Sequence, residues 1–447
     1  MNFHTNSIFY RTKTVSLSLS DLPNPVNENS PKWYIDSRQL AWQKFLESPW
    51  PSRKDEDWRF ANLKKLSYEN VRDSEEKGNF DYNKYVSNSI SLNNGTDRLV
   101  FNNDKLLFQS NVNDELLNKG LIFKPLSQAL VEDADLLKTY FMKEDPKLGS
   151  EKLFNLHKAR QKEGYFIYVP EGLVLENPLE VFHWVSGEDA VIFPYTLIVT
   201  GAGSSITVAE YSASSDDEFG LTCGVTDLIA EKNSQLTYVR TQNLSEKAHS
   251  FHISNVSAHS NSDIKNFSLN LGCDWLRQES ISRLLGDEAH SEMISVNVPE
   301  NNQEFDMRTM QLHEHANTTS NLLYKNALYD KSKTTFAGMI KVEEGAHFTD
   351  AYQTCRNLLM SDECEANSLP GLEIKADQVK CSHGSTSNPV AEEELFYLMS
   401  RGIEEAVSRQ LVTFGFVKDA VDRLNNPQLE EVVLGKLERR FKKIGLR

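Results

Sequence analysis

Between Gly164 and the stretch Ala376–Thr386, apolar and polar residues alternate in short runs. Gly, Asn, Asp and Ser separate the runs. An alternation of two places successive side chains on opposite faces, so these runs predict strands. Gly164-Tyr165-Phe166-Ile167-Tyr168-Val169 is one, closed by a turn at Pro170-Glu171-Gly172. A small or polar residue followed two places later by an apolar one recurs through the region. Its positions are Ser204, Ser234, Ser262, Ser291 and Ala346, followed by Ile206, Leu236, Ile264, Met293 and Phe348. The steps are 30, 28, 29 and 55, the last spanning two units. Thr319 is the candidate for the omitted unit, although Asn321 stands where the apolar residue belongs. Short strands repeating about every 28 residues with no helix between them predict a solenoid. The fold expected is mainly β, a right-handed parallel β-helix over 161–388. A twisted sandwich is the alternative.

The flanks carry another period. Residues 1–160 mix helical and strand patterns and form an N-terminal α/β region. Its first 30 residues, with Asn, Pro and Ser clusters, read as a loose arm. Trp33 to Leu46 fits a helix roughly. Ser52 and Asp55 have capping-box spacing, and the charged run Arg53–Arg59 reads as a solvated helix start. Leu99-Val100-Phe101 and Leu106-Leu107-Phe108 flank Asn102-Asn103-Asp104-Lys105, a hairpin signal. Leu126 to Met142 and Ser150 to Gln161 read as helices. After Ala391 the pattern is helical again, with Leu395, Leu398 and Met399, then Ile403, Val407, Leu411 and Phe414, then Leu429, Val432, Val433, Leu437 and Phe441. This C-terminal helical domain, 389–447, holds more apolar residues than it can bury alone. It packs on the solenoid or offers a surface to another protein.

Composition narrows the function. With 447 residues and 39% hydrophobic content the chain can bury a large core. A formal charge of −16 argues against nucleic acid. No apolar run is long enough to predict a transmembrane helix. Met1–Ser20 lacks the apolar core of a secretory signal, and its composition fits an organelle transit peptide only weakly. Five widely spaced cysteines make no disulfide framework and no CxxC pair. That usage fits a reducing cytosol.

No phosphate loop, dinucleotide fingerprint, GxSxG or HExxH is present, so no enzyme motif is recognisable. The chemistry-bearing stretch is Ala376–Thr386. Cys381 and His383, two apart on a strand, project from one face. A thiolate beside an imidazole suits iron, zinc or sulfur transfer. A buried thiol beside a hydrogen-bonded histidine is the simpler reading. His313-Glu314-His315 puts two imidazoles on one strand face, and stacked coils could add His290 or His347. Cys223, Cys273, Cys355 and Cys364 read as small buried residues.

An ordered set of motifs carries a family resemblance. It comprises His315-Ala316-Asn317-Thr318-Thr319-Ser320, Asn357-Leu358-Leu359-Met360-Ser361, Leu372-Glu373-Ile374, Asp377–Thr386 and Glu394–Ile403. Together they resemble the SufB/SufD family. The N-terminal Arg53-Lys54-Asp55-Glu56-Asp57-Trp58-Arg59 is similar to the SufD branch rather than the SufB branch. The resemblance implies a β-helix between helical termini and a non-catalytic subunit of the SufBCD iron–sulfur assembly complex. The chain would pair with a SufB-like subunit and dock a SufC-like ATPase through its C-terminal helices, in a heterotetramer with two SufC. A homodimer is the alternative when the chain is alone. His383 matches the family's interface histidine and is the candidate metal ligand shared with SufB. Cys381 belongs to the same motif. Cys355 stands at or beside a position where SufB proteins carry a functional cysteine and typical SufD proteins carry Asn. A SufB-type scaffold that holds the cluster through Cys355 and His383 is therefore the alternative. No stably bound cofactor is implied, only a transient cluster at the SufB interface. The compartment implied is the cytoplasm, with a plastid as the alternative. A polysaccharide-cleaving β-helix enzyme fits less well, because it lacks the secretion signal and leaves the C-terminal motifs unexplained.

Overall fold

The computed structural model describes residues 22, 29–66, 71–73, 82–89, 91–92 and 96–445. The Met1–Ser20 segment and most of the expected arm lie outside the described residues. The strand-rich region is a parallel β-helix. Two sheets each contribute eight consecutive strands, all paired in parallel with the coil before and after. The first sheet runs from Gly164–Val169 to Glu365–Ile374. The second runs from Leu179–Val185 to Lys380–Pro389.

The coils turn at stacked corners. Gly203, Asn233, Asn261, Glu288, Asn317, Phe348 and Gln378 precede successive second-sheet strands, and each has positive φ. Asn and Gly enter this left-handed region at least cost. The next residue in five of these corners is a hydroxyl that donates to the carbonyl three places back. The pairs are Ser204 to Gly201, Ser234 to Glu231, Ser262 to His259, Thr318 to His315 and Thr349 to Ala346, at 2.7–3.0 Å. This is a local cap for a backbone group that would otherwise be orphaned.

The repeat read from the sequence is therefore real, and its first three small residues are these corner hydroxyls. The later assignments are out of register. Ser291 pairs with Ile264, inside the strand, so Ala289 is the corner. Thr318 rather than Thr319 is the next. Phe348, expected to point inward, is the left-handed corner residue and is 57% exposed. Coil lengths differ by a residue or two, and the pairing register absorbs the difference in the corners, where it disturbs no ladder.

The N-terminal region closes one end of the solenoid. Arg98–Asn102 and Lys105–Gln109 form the expected hairpin, and the first of them joins the second sheet beside Leu179–Val185. Helices Lys32–Glu47 and Glu151–Arg160 pack together over the outer face of the first sheet. The Leu126–Met142 helix is broken at Asp133 into Leu126–Glu132 and Ala134–Tyr140. The charged run Arg53–Arg59 is not a solvated helix start. Asp55 accepts from the Ser52 backbone N–H at 2.7 Å, and a single 3-10 turn, Glu56–Trp58, follows. That turn buries Trp58 against Arg277, whose guanidinium lies 3.8 Å from the ring centroid. Arg277 also donates to Glu279 at 2.8 Å, Asp306 at 2.7 Å and the carbonyls of Asp57 and Leu148. A fully buried cation is tolerated only with such complete pairing.

Three helices follow the last strand: Glu392–Met399, Glu405–Val421 and Pro427–Gly445. The second passes Gly415 without a break. The last two bury Val417, Val421, Leu429, Val433, Leu437 and Phe441 on the outer face of the second sheet. Among the described residues no helix is long and apolar enough to cross a membrane.

Arg277→Ala is expected to destabilise the fold by about 3–5 kcal/mol, because Glu279 loses the one cation paired with it among the described residues and Trp58 the guanidinium over its ring. Chemical denaturation of the variant measures this. An unchanged midpoint would show that the network does not anchor the N-terminal region.

Candidate functional site

The last coil sets the geometry. Glu365–Ile374 pairs only with Lys333–Val342, and Lys380–Pro389 only with Asp350–Leu359. Each strand leaves its other edge without a partner strand among the described residues. The register opposes Ala351 to Cys381, Gln353 to His383, Cys355 to Ser385 and Asn357 to Ser387. Strand alternation puts these residues on one face, and the burial of Ala351, Gln353, Cys355 and Asn357 makes it the inner face. All three candidate residues thus gather at the open end of the solenoid. Cys381 and His383 stand on the final strand, and Cys355 lies one coil deeper.

Their environments differ sharply. Cys355 is fully buried. Asn326 donates to its Sγ at 3.5 Å, and Ser368 Oγ lies 3.9 Å away. Burial pushes the thiol up to about 12, against weaker hydrogen bonds from Ser368, Asn326, Asn357 and Ser385. Cys381 is half-buried beside Ile340, Val342 and Ala351, and burial with nearby Asp350 raises its thiol too. His383 is exposed. As folded, the two thiols are poor nucleophiles and the imidazole is the accessible ligand.

A feature the sequence reading missed leads to the same end. Asn270 donates to Asn297 at 2.8 Å, Asn297 to Asn326 at 2.8 Å, and Asn326 to Asn357 at 2.6 Å. Asn357 then donates to Ser387 on the final strand at 2.9 Å. This interior ladder satisfies side-chain amides coil by coil. The recurrence of Asn at coil spacing was its signal.

The expected histidine pair does not form. His313 ends its strand and points inward, held by Thr318 Oγ1 at 2.7 Å and Ser320 Oγ at 2.8 Å. His315 lies in the following turn and is exposed. The strand ends between them, so they share no face. Among the described residues no group of three or more His, Cys, Asp or Glu side chains could hold a metal ion. Cys223 and Cys273 are buried, with thiols raised by burial. Cys364 is partly buried, its Sγ 2.9 Å from the Ser361 carbonyl.

Two outcomes are expected from these environments. Iodoacetamide at pH 8 should modify Cys381 at least about tenfold faster than Cys355, read by peptide mass spectrometry. Equal rates would mean that Cys355 is not sealed. Burial also holds His313 down to about 3 and His157 to about 4, below the ordinary imidazole value. Both take up protons on unfolding. The stability they confer is full above about pH 6.5 and is lost as pH falls through about 4. Melting curves from pH 7 to 5 should therefore drop, and His313→Gln should flatten the slope. A slope unchanged by that substitution would contradict the assignment.

Comparison with known proteins places this geometry. Residues 183–416 match the model of the SUF system FeS cluster assembly SufBD core domain, and residues 20–181 match the SufBD protein N-terminal region. The chain is 27% identical over 417 residues to the iron-sulfur cluster assembly protein SufD of Bacillus subtilis, covering 92% of this chain and 95% of that protein. It is 26% identical over 420 residues to an iron-sulfur cluster assembly SufBD family protein of Staphylococcus aureus strain USA300, covering 88% and 86%. The solenoid with its open final coil and its helical flanks is therefore that of an iron–sulfur cluster assembly protein, and the chain belongs to the SufB/SufD family.

Proposed function

We propose that this chain is a SufD-like, non-catalytic subunit that pairs with a SufB-like subunit through its final coil. The observation that carries the reading is that coil. Two strands, Glu365–Ile374 and Lys380–Pro389, each have one edge with no strand partner among the described residues, with Leu369, Leu372 and Ile374 part-exposed. Open edges of this length join another chain or aggregate. His383 stands on this edge, so a partner strand would bring its own ligands to the imidazole. The iron–sulfur cluster is then cargo formed at the seam, and neither chain alone need supply a full ligand set.

The C-terminal helices support the second contact. Their inner faces are spent on the second sheet, yet Phe396, Tyr397, Met399, Val407 and Leu411 remain 42–73% exposed. A groove of about 550 Å³, lined by Val407, Leu411, Phe414 and Phe441, runs between the last two helices. An apolar groove of this kind suits docking of a SufC-like ATPase, which would supply the energy the chain has no phosphate loop to extract. Two such ATPases, one on each scaffold subunit, complete the heterotetramer. Their closure would pull on these helices and open the seam at His383.

The SufB-type alternative rests on Cys355 and His383 sharing an inner face. Against it stands the seal over Cys355. Holding a cluster there requires the final strand to part from Asp350–Leu359.

The test is co-purification with SufB-like and SufC-like counterparts, with and without residues 391–447, followed by cluster reconstitution on the full complex. The full chain should retain both partners, and the truncation should lose only the ATPase. The complex carrying His383→Ala should assemble normally and form about tenfold less cluster, judged by iron and sulfide content. Full cluster yield from that variant would remove His383 from the mechanism.

A further inference from the structure

The terminal helix Pro427–Gly445 does more than cover the second sheet. With Ser91 and Leu92 it bounds a cleft of about 960 Å³, and none of the cleft's lining residues belongs to the final coil. Lys436 lines that cleft. Its Nζ lies 4.7 Å from the ring centroid of Tyr211, and Tyr211 stacks on Phe182 at 4.6 Å. No ion pair among the described residues includes Lys436, unlike Lys443, which pairs with Glu246 at 2.5 Å on the same helix.

The groups facing the amine come from both elements. Glu180, on the sheet, draws the ammonium but already accepts from the Leu92 backbone N–H at 3.1 Å. Arg439, one helical turn on, repels it. Glu430, Glu431 and Glu438 line the same cleft. Burial, with Arg439 acting in the same direction, outweighs Glu180 and pushes the ammonium down to about 8, so roughly a tenth is free amine at pH 7.

We propose that Lys436 is an acylation site whose amine accepts small anionic acyl donors of the acyl-phosphate class, with Arg439 drawing the donor's phosphate into the cleft. The amine lone pair forms the new C–N bond to the carbonyl carbon. The C–O bond to phosphate breaks, phosphate leaves with that electron pair, and the proton lost from nitrogen passes to phosphate or solvent. The product amide has no charge. It removes the cation from the Tyr211 ring where the terminal helix meets the sheet, so acylation would loosen this seam. The inference is independent of the assembly role of the final coil.

The experiment treats the full chain with acetyl phosphate between pH 7 and 10 and quantifies acetylation at each lysine by peptide mass spectrometry. At pH 7.5 Lys436 should react about tenfold faster than the exposed Lys54 and Lys232, because burial holds its amine low and Arg439 draws the donor to it. Its rate should be half-maximal near pH 8 and level off above it. Arg439→Gln should slow acetylation of Lys436 by acetyl phosphate but not by an uncharged acetyl ester. Lys436→Arg provides the blank for that peptide. Parity with Lys54 and Lys232, or a rate at Lys436 that climbs steadily to pH 10, would overturn the proposal. Equal slowing of both donors by Arg439→Gln would overturn the phosphate-steering role.

Discussion

Each coil of this solenoid takes its backbone hydrogen bonds from the coils on either side, and the last coil has a coil on one side only. Most of the molecule follows from that constraint. At the first coil the hairpin Arg98–Gln109 and the strand Ile122–Pro125 supply the missing partners. At the far end the C-terminal helices could have done the same. Instead they fold back along the outer face of the second sheet, where Val417, Leu429, Val433 and Phe441 find apolar cover. Among the described residues no strand pairs with the final edge. The candidate residues Cys355, Cys381 and His383 thus sit where the fold is incomplete.

Desolvation decides what that end can do while closed. Cys355 and His383 lie on one face, a coil apart, yet burial keeps the first a protonated thiol while the second meets solvent. The asparagine ladder reinforces the seal, because Asn357 links Asn326 to Ser387 and so ties the final strand to the interior. Parting that strand would break the ladder and uncover the sulfur together. The fold couples access to the Cys355 thiol to the state of its open edge.

Two buried polar groups show how burial is tolerated. Arg277 is tolerated because two carboxylates, two carbonyls and the Trp58 ring receive it. His313 is tolerated because it is neutral and held at both nitrogens. Lys436 has neither arrangement: no ion pair among the described residues includes it, and it lines a cleft.

The alternation of the chain determined the strands, and the return of corner hydroxyls at Ser204, Ser234 and Ser262 determined that they stack. The family motifs located Cys355, Cys381 and His383. Local chemistry suffices there, because a strand's faces and a corner's backbone depend on residues close in sequence. Tertiary structure alone decided the later registers, since a coil one residue longer or shorter is absorbed in a corner with no local trace. It alone turned the charged run Arg53–Arg59 into the cover of Arg277, more than 200 residues away in the chain. It also separated His313 from His315 by ending a strand between them. Burial, which distinguishes one cysteine or lysine from another, is a property of what packs above a residue, and distant segments supply that packing.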